Sequence, residues 1–295
     1  MNIASAVNNQ GLVYKEMRRF DEALAHFEKA LQIAARIGDR STASYSYGNM
    51  GTVHHDRGDF GQALEMYRRR LELTTQLGDR QSSAYTRINM GLLEKQRGRY
   101  KEAEALYLES LKVMTELGDR RAVAITTGKL ADLFFATGRM GLARQGYREA
   151  VEQARQLGID YYLCDMLNNF ALLALEENDH RESSELAALA KTSAEKAGRK
   201  DMALSCLILQ ARLLSYENKE QAVEELKKLE GECPDDEQRS EALYHLYRLE
   251  PEEQLKEKLL KVYGALLERT PDQKYQVRIN EIAGAAGSQP GEHAT

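Results

Sequence analysis

Asparagines stand at Asn9, Asn49, Asn89 and Asn169, forty residues apart apart from one place in the series that Lys129 fills. A primary amide offers a donor and an acceptor together, which matches the peptide unit of an extended chain. A ladder of such groups would hold a polypeptide backbone without dictating its side chains. Asparagine is only a middling helix former, because its amide competes for backbone hydrogen bonds, so its recurrence asks for a reason. Two readings are open: the amides contact a bound peptide, or they bond neighbouring helices and keep repeated units in register. Tyr45 and Tyr85 recur four places before two of these asparagines and could supply stacking area with a polar tip. His55 and Lys95 lie six places after the same two asparagines.

Other chemistry is sparse. His54, His55 and Asp56 are adjacent, but neighbours on a helix point about 100° apart and cannot chelate one ion together. No glycine-rich phosphate loop, nucleophile elbow or apolar-flanked acidic pair occurs, so the expectation is a chain without catalytic, cofactor or metal sites. Cys164, Cys206 and Cys233 are far apart and form no CxxC pair, which fits buried thiols in a reducing, cytoplasmic setting. The start, MNIASAVNNQ, has neither a basic nor an apolar segment, so a secretory signal is not expected. No apolar run is long enough for a membrane span. The net charge of −5 comes without a basic stripe, which argues against nucleic acid. Arg68, Arg69 and Arg70 read as a solvated helix face.

The elements that carry these residues are repeated. Small residues fall at Gly11, Gly51, Gly91, Ala131, Ala171 and Ala211. A second small column follows at Ala23, Ala63, Ala103, Ala143 and Ser183, and an aromatic column at Phe27, Tyr67, Tyr107 and Tyr147 decays to Ala187. Turn glycines recur at Gly58, Gly98 and Gly138, where Asn178 and Asn218 stand in later, and again at Gly38, Gly78, Gly118, Gly158 and Gly198. Each unit reads as two helices separated by a left-handed residue, with Asp59 capping the second helix and Asp79 the next unit. Small residues let the two helices approach, and the ring fills the space beside them. One such unit cannot bury its apolar face alone, so the units must stack.

These columns resemble the tetratricopeptide repeat family, carried by the small residue of the first helix, the Ala and aromatic of the second, and a large residue at Tyr14, His54 and Phe134. The family's usual Trp is replaced by Val7, Tyr47, Arg87, Thr127, Leu167 and Leu207, and its unit-ending proline is missing. The forty-residue variant, with NMG in the first helix and LGDR at the junction, is similar to spindle-orientation adaptors of the LGN/Pins type and to many bacterial repeat proteins. The resemblance implies an all-α fold, a right-handed superhelical solenoid of helix-turn-helix units closed by C-terminal capping helices. The columns mark six units over residues 1–230, five and six degenerate; Pro234, Pro251 and Pro271 then punctuate a diverged seventh helix pair and cap over 235–283, and GAAGSQPGEHAT over 284–295 reads as a disordered tail. The resemblance also implies that first helices line a concave groove, placing Asn9, Asn49, Asn89, Lys129, Asn169, Tyr45, Tyr85, His55 and Lys95 on its wall. A chaperone-type carboxylate clamp is disfavoured, since only Lys129 fits it.

The function so implied is a non-catalytic scaffold that binds an extended or helical protein or peptide segment. The alternatives are a regulatory or sensor module of a larger signalling enzyme or transcription regulator, and a self-associating homo-oligomer. The direct start in a first helix leaves repeat one facing solvent, a partner, or a preceding part of a longer chain.

Overall fold

The computed structural model describes residues 2–284, and all fifteen elements among the described residues are α-helices. The fold is an all-α helical repeat solenoid. Two compact units divide the chain, residues 1–126 with 269–271 and residues 127–268 with 272–295. The first unit holds α1 (Ile3–Glu16), α2 (Phe20–Ile37), α3 (Arg40–Asp56), α4 (Phe60–Gln76), α5 (Arg80–Gln96) and α6 (Tyr100–Leu117). It also holds the start of α7 (Arg120–Ala136), whose remainder opens the second unit. There follow α8 (Met140–Leu157), α9 (Asp160–Glu176), α10 (His180–Lys196), α11 (Lys200–Leu214), α12 (Lys219–Glu232), α13 (Asp236–Leu249), α14 (Glu253–Arg269) and α15 (Gln273–Gly284). Of the tail expected to be disordered, all but Gly284 lies outside the described residues.

In the first unit the small and aromatic columns meet as a matched pair. A Cβ on Gly51 would lie 2.5 Å from the Tyr67 ring, and one on Gly91 would lie 2.7 Å from the Tyr107 ring. The ring packs directly against the bare backbone of its partner helix, which fixes how closely the helices pack. Phe27, Tyr67 and Tyr107 are buried accordingly. The second unit begins the same way with Tyr147, which lies on Phe170 at 5.7 Å between ring centroids. By Ala187 the ring is gone, and aliphatic side chains such as Leu173 and Leu186 fill the interior instead.

The turns follow the sequence with two corrections. Gly58 adopts φ 81°, and Asn178 takes over that left-handed role at φ 62°. Asn218 does not: at φ −146° it is the N-cap of α12, accepting a hydrogen bond from the Gln221 amide at 3.1 Å. The reason is that α11 ends early, at Leu214, so the position moves from behind one helix to the front of the next. Asp59 stands at the start of α4, yet its side chain makes no capping bond. Its carboxylate is drawn instead to His54 Nδ1 and Arg57 Nε, each at 3.5 Å. The aspartates that follow the junction glycines do cap: Asp39, Asp79 and Asp119 accept from the Thr42, Ser82 and Ala122 amides at 2.9–3.0 Å. First helices α3, α5 and α7 thus have side-chain caps, whereas α9 and α11 have none and neither do the second helices α2, α4, α6 and α8.

Near the end, Asp235 caps α13 through the Gln238 amide. Leu243, Tyr244, Leu259, Tyr263, Leu266, Tyr275 and Ile282 form one apolar cluster from α13, α14 and α15. All three cysteines are free and buried. Burial pushes their thiols up, Cys164 and Cys233 to about 11 and Cys206 to about 12. Such thiols are poor nucleophiles at neutral pH.

Candidate functional site

The first-helix residues singled out in the sequence divide according to what holds them. In the first unit Asn49 is half-buried, and its amide donates to Asn8 Oδ1 on α1 at 3.2 Å. Ser46 donates to the same oxygen at 3.0 Å. Asn8, one place before the asparagine column, is thus a buried acceptor that ties α3 to α1. Asn89 occupies the equivalent position on α5, where residue 88 is the apolar Ile88. Asn89 is half-buried and makes no side-chain hydrogen bond among the described residues. Asn9 is exposed.

Tyr85 is latched: its hydroxyl donates to the Asp119 carboxylate at the start of α7, at 3.1 Å. Tyr45, its equivalent on α3, is 55% exposed. His55 pairs with Gln96 on α5 at 2.8 Å and lies near-parallel to the Phe60 ring. His54 turns towards Asp59, so the two histidines address different partners. No group of three or more ligating side chains suited to a metal ion occurs among the described residues.

In the second unit Asp132 on α7 gathers the neighbours. It accepts from Asn169 Nδ2 at 2.8 Å and from the Tyr147 hydroxyl at 2.9 Å, and Lys129 lies 3.7 Å away. This bonding links α7, α8 and α9. Burial and the Asp132 carboxylate raise the Tyr147 hydroxyl pKa far above its ordinary value, so it stays a proton donor. Asp165 on α9 and Arg199 ahead of α11 make a similar link at 3.1 Å.

Beside Asn169 opens a cavity of about 630 Å³, lined by α9, α11, α13 and α15. Asn168, Leu172, Leu209, Gln238 and Arg278 form parts of its wall. Asn168 is 7% exposed and Gln238 8%, yet the Asn168 Oδ1 and Gln238 Oε1 atoms find no hydrogen-bond partner. Gln238 Nε2 is already committed, donating to the Asp201 carbonyl at 2.8 Å, which fixes the side chain with its oxygen unpaired. A buried polar atom without a partner costs about 1–3 kcal/mol. Neither Asn168 nor Gln238 is flagged by the forty-residue asparagine column; Asn168 follows the Asn8 position by four repeats, and that second, sparser column was its signal.

A further cavity of about 530 Å³ adjoins the same helices, with Arg212, His245, Arg248 and Arg278 among its walls. The Tyr244 ring carries Arg278 at 3.9 Å and Arg248 at 6.0 Å. Burial, reinforced by Arg212, Arg278 and Arg248, pushes the His245 imidazole down to about 3, so it is neutral at physiological pH.

Against known families, the tetratricopeptide repeat matches residues 2–76 and 81–156, just over half of the chain. The chain belongs to the tetratricopeptide repeat family. No curated protein matches it. Solved tetratricopeptide structures do. The apo form of the quorum sensor NprR from B. thuringiensis is similar with a TM-score of 0.67 at 15% identity, over 94% of this chain and 75% of that one. Aspartyl phosphate phosphatase F from Bacillus subtilis gives 0.67 at 13%, over 97% and 70%. A signal transduction ATPase with a tetratricopeptide repeat sensor, from Pyrococcus horikoshii, gives 0.64 at 12%, over 96% of this chain and 41% of that one. At these identities the likeness is one of fold. Tetratricopeptide repeats are protein-interaction modules, and no helix among the described residues is long and apolar enough to cross a membrane.

Proposed function

We propose that this chain is a non-catalytic scaffold that binds an extended or helical segment of a protein partner along its first-helix faces. The observation that carries the reading is the pair of buried, unpaired amide oxygens, Asn168 Oδ1 and Gln238 Oε1, in the wall of an open cavity. Backbone N–H groups of a bound segment are the donors that would complete them, and Leu172 and Leu209 offer an apolar seat for its side chains. In the first unit Asn89, Asn9, Tyr45 and Lys95 extend the same kind of polar surface, with His55 beside them. Asn49 and Asn169 contribute mainly by holding the helices that present these groups, and Lys129 lies against Asp132 on its own helix.

The test is affinity capture with the full chain, mapping of the bound segment, and titration of that segment against variants. Asn168→Ala and Gln238→Ala are each expected to weaken binding about tenfold, the loss of roughly one good hydrogen bond. Unchanged affinity in both variants, with the fold intact by circular dichroism, removes the reading.

A sensory or regulatory role within a larger assembly is the second reading. It is supported by the near-complete coverage of this chain on the quorum sensor NprR and on a signal transduction ATPase that carries a tetratricopeptide repeat sensor. Its test is whether a captured segment belongs to an enzyme or transcription regulator whose activity changes on binding. Self-association is checked by light scattering at high micromolar concentration, where a monomer excludes it.

A further inference from the structure

Arg70 breaks the pattern of its own column. The equivalent residues on the other second helices are Ala30, Ser110, Ala150 and Ala190, all fully buried against neighbouring helices. In place of a methyl or hydroxymethyl group, α4 inserts a whole arginine side chain there. The sequence reading of Arg68–Arg70 as one solvated face therefore fails for its third member. Arg68 and Arg69 are exposed, whereas Arg70 is half-buried.

Room for it comes from Gly48 on α3. A Cβ at Gly48 would lie 2.5 Å from an Arg70 terminal guanidinium nitrogen and 2.8 Å from its Cδ. The arginine stem and head thus lie across bare helix backbone. Its Nε is buried and has no hydrogen-bond partner. No carboxylate lies within ion-pair distance of the guanidinium among the described residues. The carboxylate that acts on it electrostatically is Asp79, whose Oδ1 already caps α5 by accepting from the Ser82 amide. Tyr45 and Tyr67 complete the surroundings.

The adjoining repeat shows what is missing. There Tyr85 reaches Asp119 and closes the space between α5 and α7, with the small Ser110 behind it. In the Arg70 repeat the equivalent Tyr45 makes no bond to Asp79 and stands 55% exposed, and both act electrostatically on the guanidinium. Withdrawing a guanidinium from water without a counter-charge is costly, and burial accordingly lowers its pKa. A half-buried fork of N–H donors held over Gly48 by packing, with its Nε unpartnered, is pre-organised for a planar oxyanion.

We infer that Arg70, with Gly48 and Tyr45, forms a carboxylate-binding notch that anchors an acidic residue or the C-terminus of a partner segment. This deepens the scaffold reading by adding an electrostatic anchor in the first unit, where the unpaired amides of the second unit play no part.

The test uses the whole chain, labelled with ¹⁵N, and the side-chain Nε–Hε resonance of Arg70, assigned by its loss in Arg70→Lys. Three peptide probes are titrated: blocked poly-glutamate, a neutral glycine-serine peptide with a free C-terminal carboxylate, and blocked poly-glutamine. Either carboxylate probe should shift the Arg70 resonance at millimolar concentration, identifying side-chain or terminal recognition, while poly-glutamine should leave it in place. Arg70→Gln should weaken the responding probe about tenfold, and Arg70→Lys should recover only part of that, since a point charge lacks the fork. Arg70→Met should fold at least as stably as the parent, because it removes an uncompensated charge and keeps the stem. No shift with either carboxylate probe, or a clear loss of stability in Arg70→Met, overturns the notch. Partner capture that survives Arg70→Gln but fails in Asn168→Ala would overturn the notch and leave the scaffold reading standing.

Discussion

The two units use one repeat pattern to opposite ends. In the first, rings rest on glycine backbones, so the helices are clamped by shape, and the unusual feature is a cation without an anion at Arg70. In the second, alanines replace the glycines and the aromatic column fades. Carboxylates, Asp132 and Asp165, carry bonds between first helices that Asn8 and His55 carry in the first unit, and the unusual feature is a pair of amides without donors. Both units leave polar groups unsatisfied on or near their first helices, but the groups differ in kind. A repeat fold separates two demands: the small and aromatic columns secure the packing, which frees first-helix positions to diverge.

The largest expected effect tests the clamp. Tyr107→Ala should cost about 3–5 kcal/mol in chemical denaturation, because a fully buried ring leaves a cavity against Gly91. Gly91→Ala should cost about 1–3 kcal/mol by forcing that ring off the backbone. In the second unit Ala171→Gly should cost only about 1 kcal/mol, the helix penalty of glycine, since no ring is seated there. Equal costs at Gly91 and Ala171 would dissolve the contrast.

Next come the asparagines. Asn169→Ala should lose about 1.5–3 kcal/mol of stability, because it removes a hydrogen bond to the Asp132 carboxylate. Asn89→Ala, with no bond to lose, should stay within about 0.5 kcal/mol and act on partner binding instead. A large stability loss at Asn89 would assign it to the scaffold.

The acid response sharpens the comparison further. His245 has a folded pKa of about 3, depressed from an ordinary 6.5. Below pH 6.5 the unfolded chain binds a proton that the folded chain refuses. Stability is therefore complete above the unfolded value and falls with pH until about 3, by up to about 1.4 kcal/mol per pH unit. The expected slope, read from urea midpoints between pH 4 and pH 6.5, should flatten in His245→Gln. An unchanged slope would mean that this imidazole titrates normally. The smallest effect concerns the thiols: Cys206→Ser should leave reactivity towards a thiol reagent under native conditions nearly as low as before, all three groups being buried.

Hydrogen exchange offers a unit-by-unit view. The repeats with the weakest columns, five and six, should open first, since each repeat leans mainly on its neighbours. Early exchange in the first repeat or at the centre would contradict this.

How much of this was legible beforehand follows from which physics is local. The forty-residue period, the helix pairs, the left-handed glycines and the capping aspartates of the LGD junctions all depend on residues a few places apart, so Gly51, Tyr67, Gly58, Asn178 and Asp79 announced themselves. Asn218 and Asp59 were misread because their roles turn on where a helix stops and which cation stands nearby, and both are set by neighbours in space. The asparagine column was visible, but its division was not. Whether Asn49 is tied depends on Asn8 a repeat away, and Asn169 depends on Asp132. Likewise, three consecutive arginines look alike in one dimension. Only packing over Gly48 sets Arg70 apart, because burial without a counter-charge is a property of the surroundings and not of the residue.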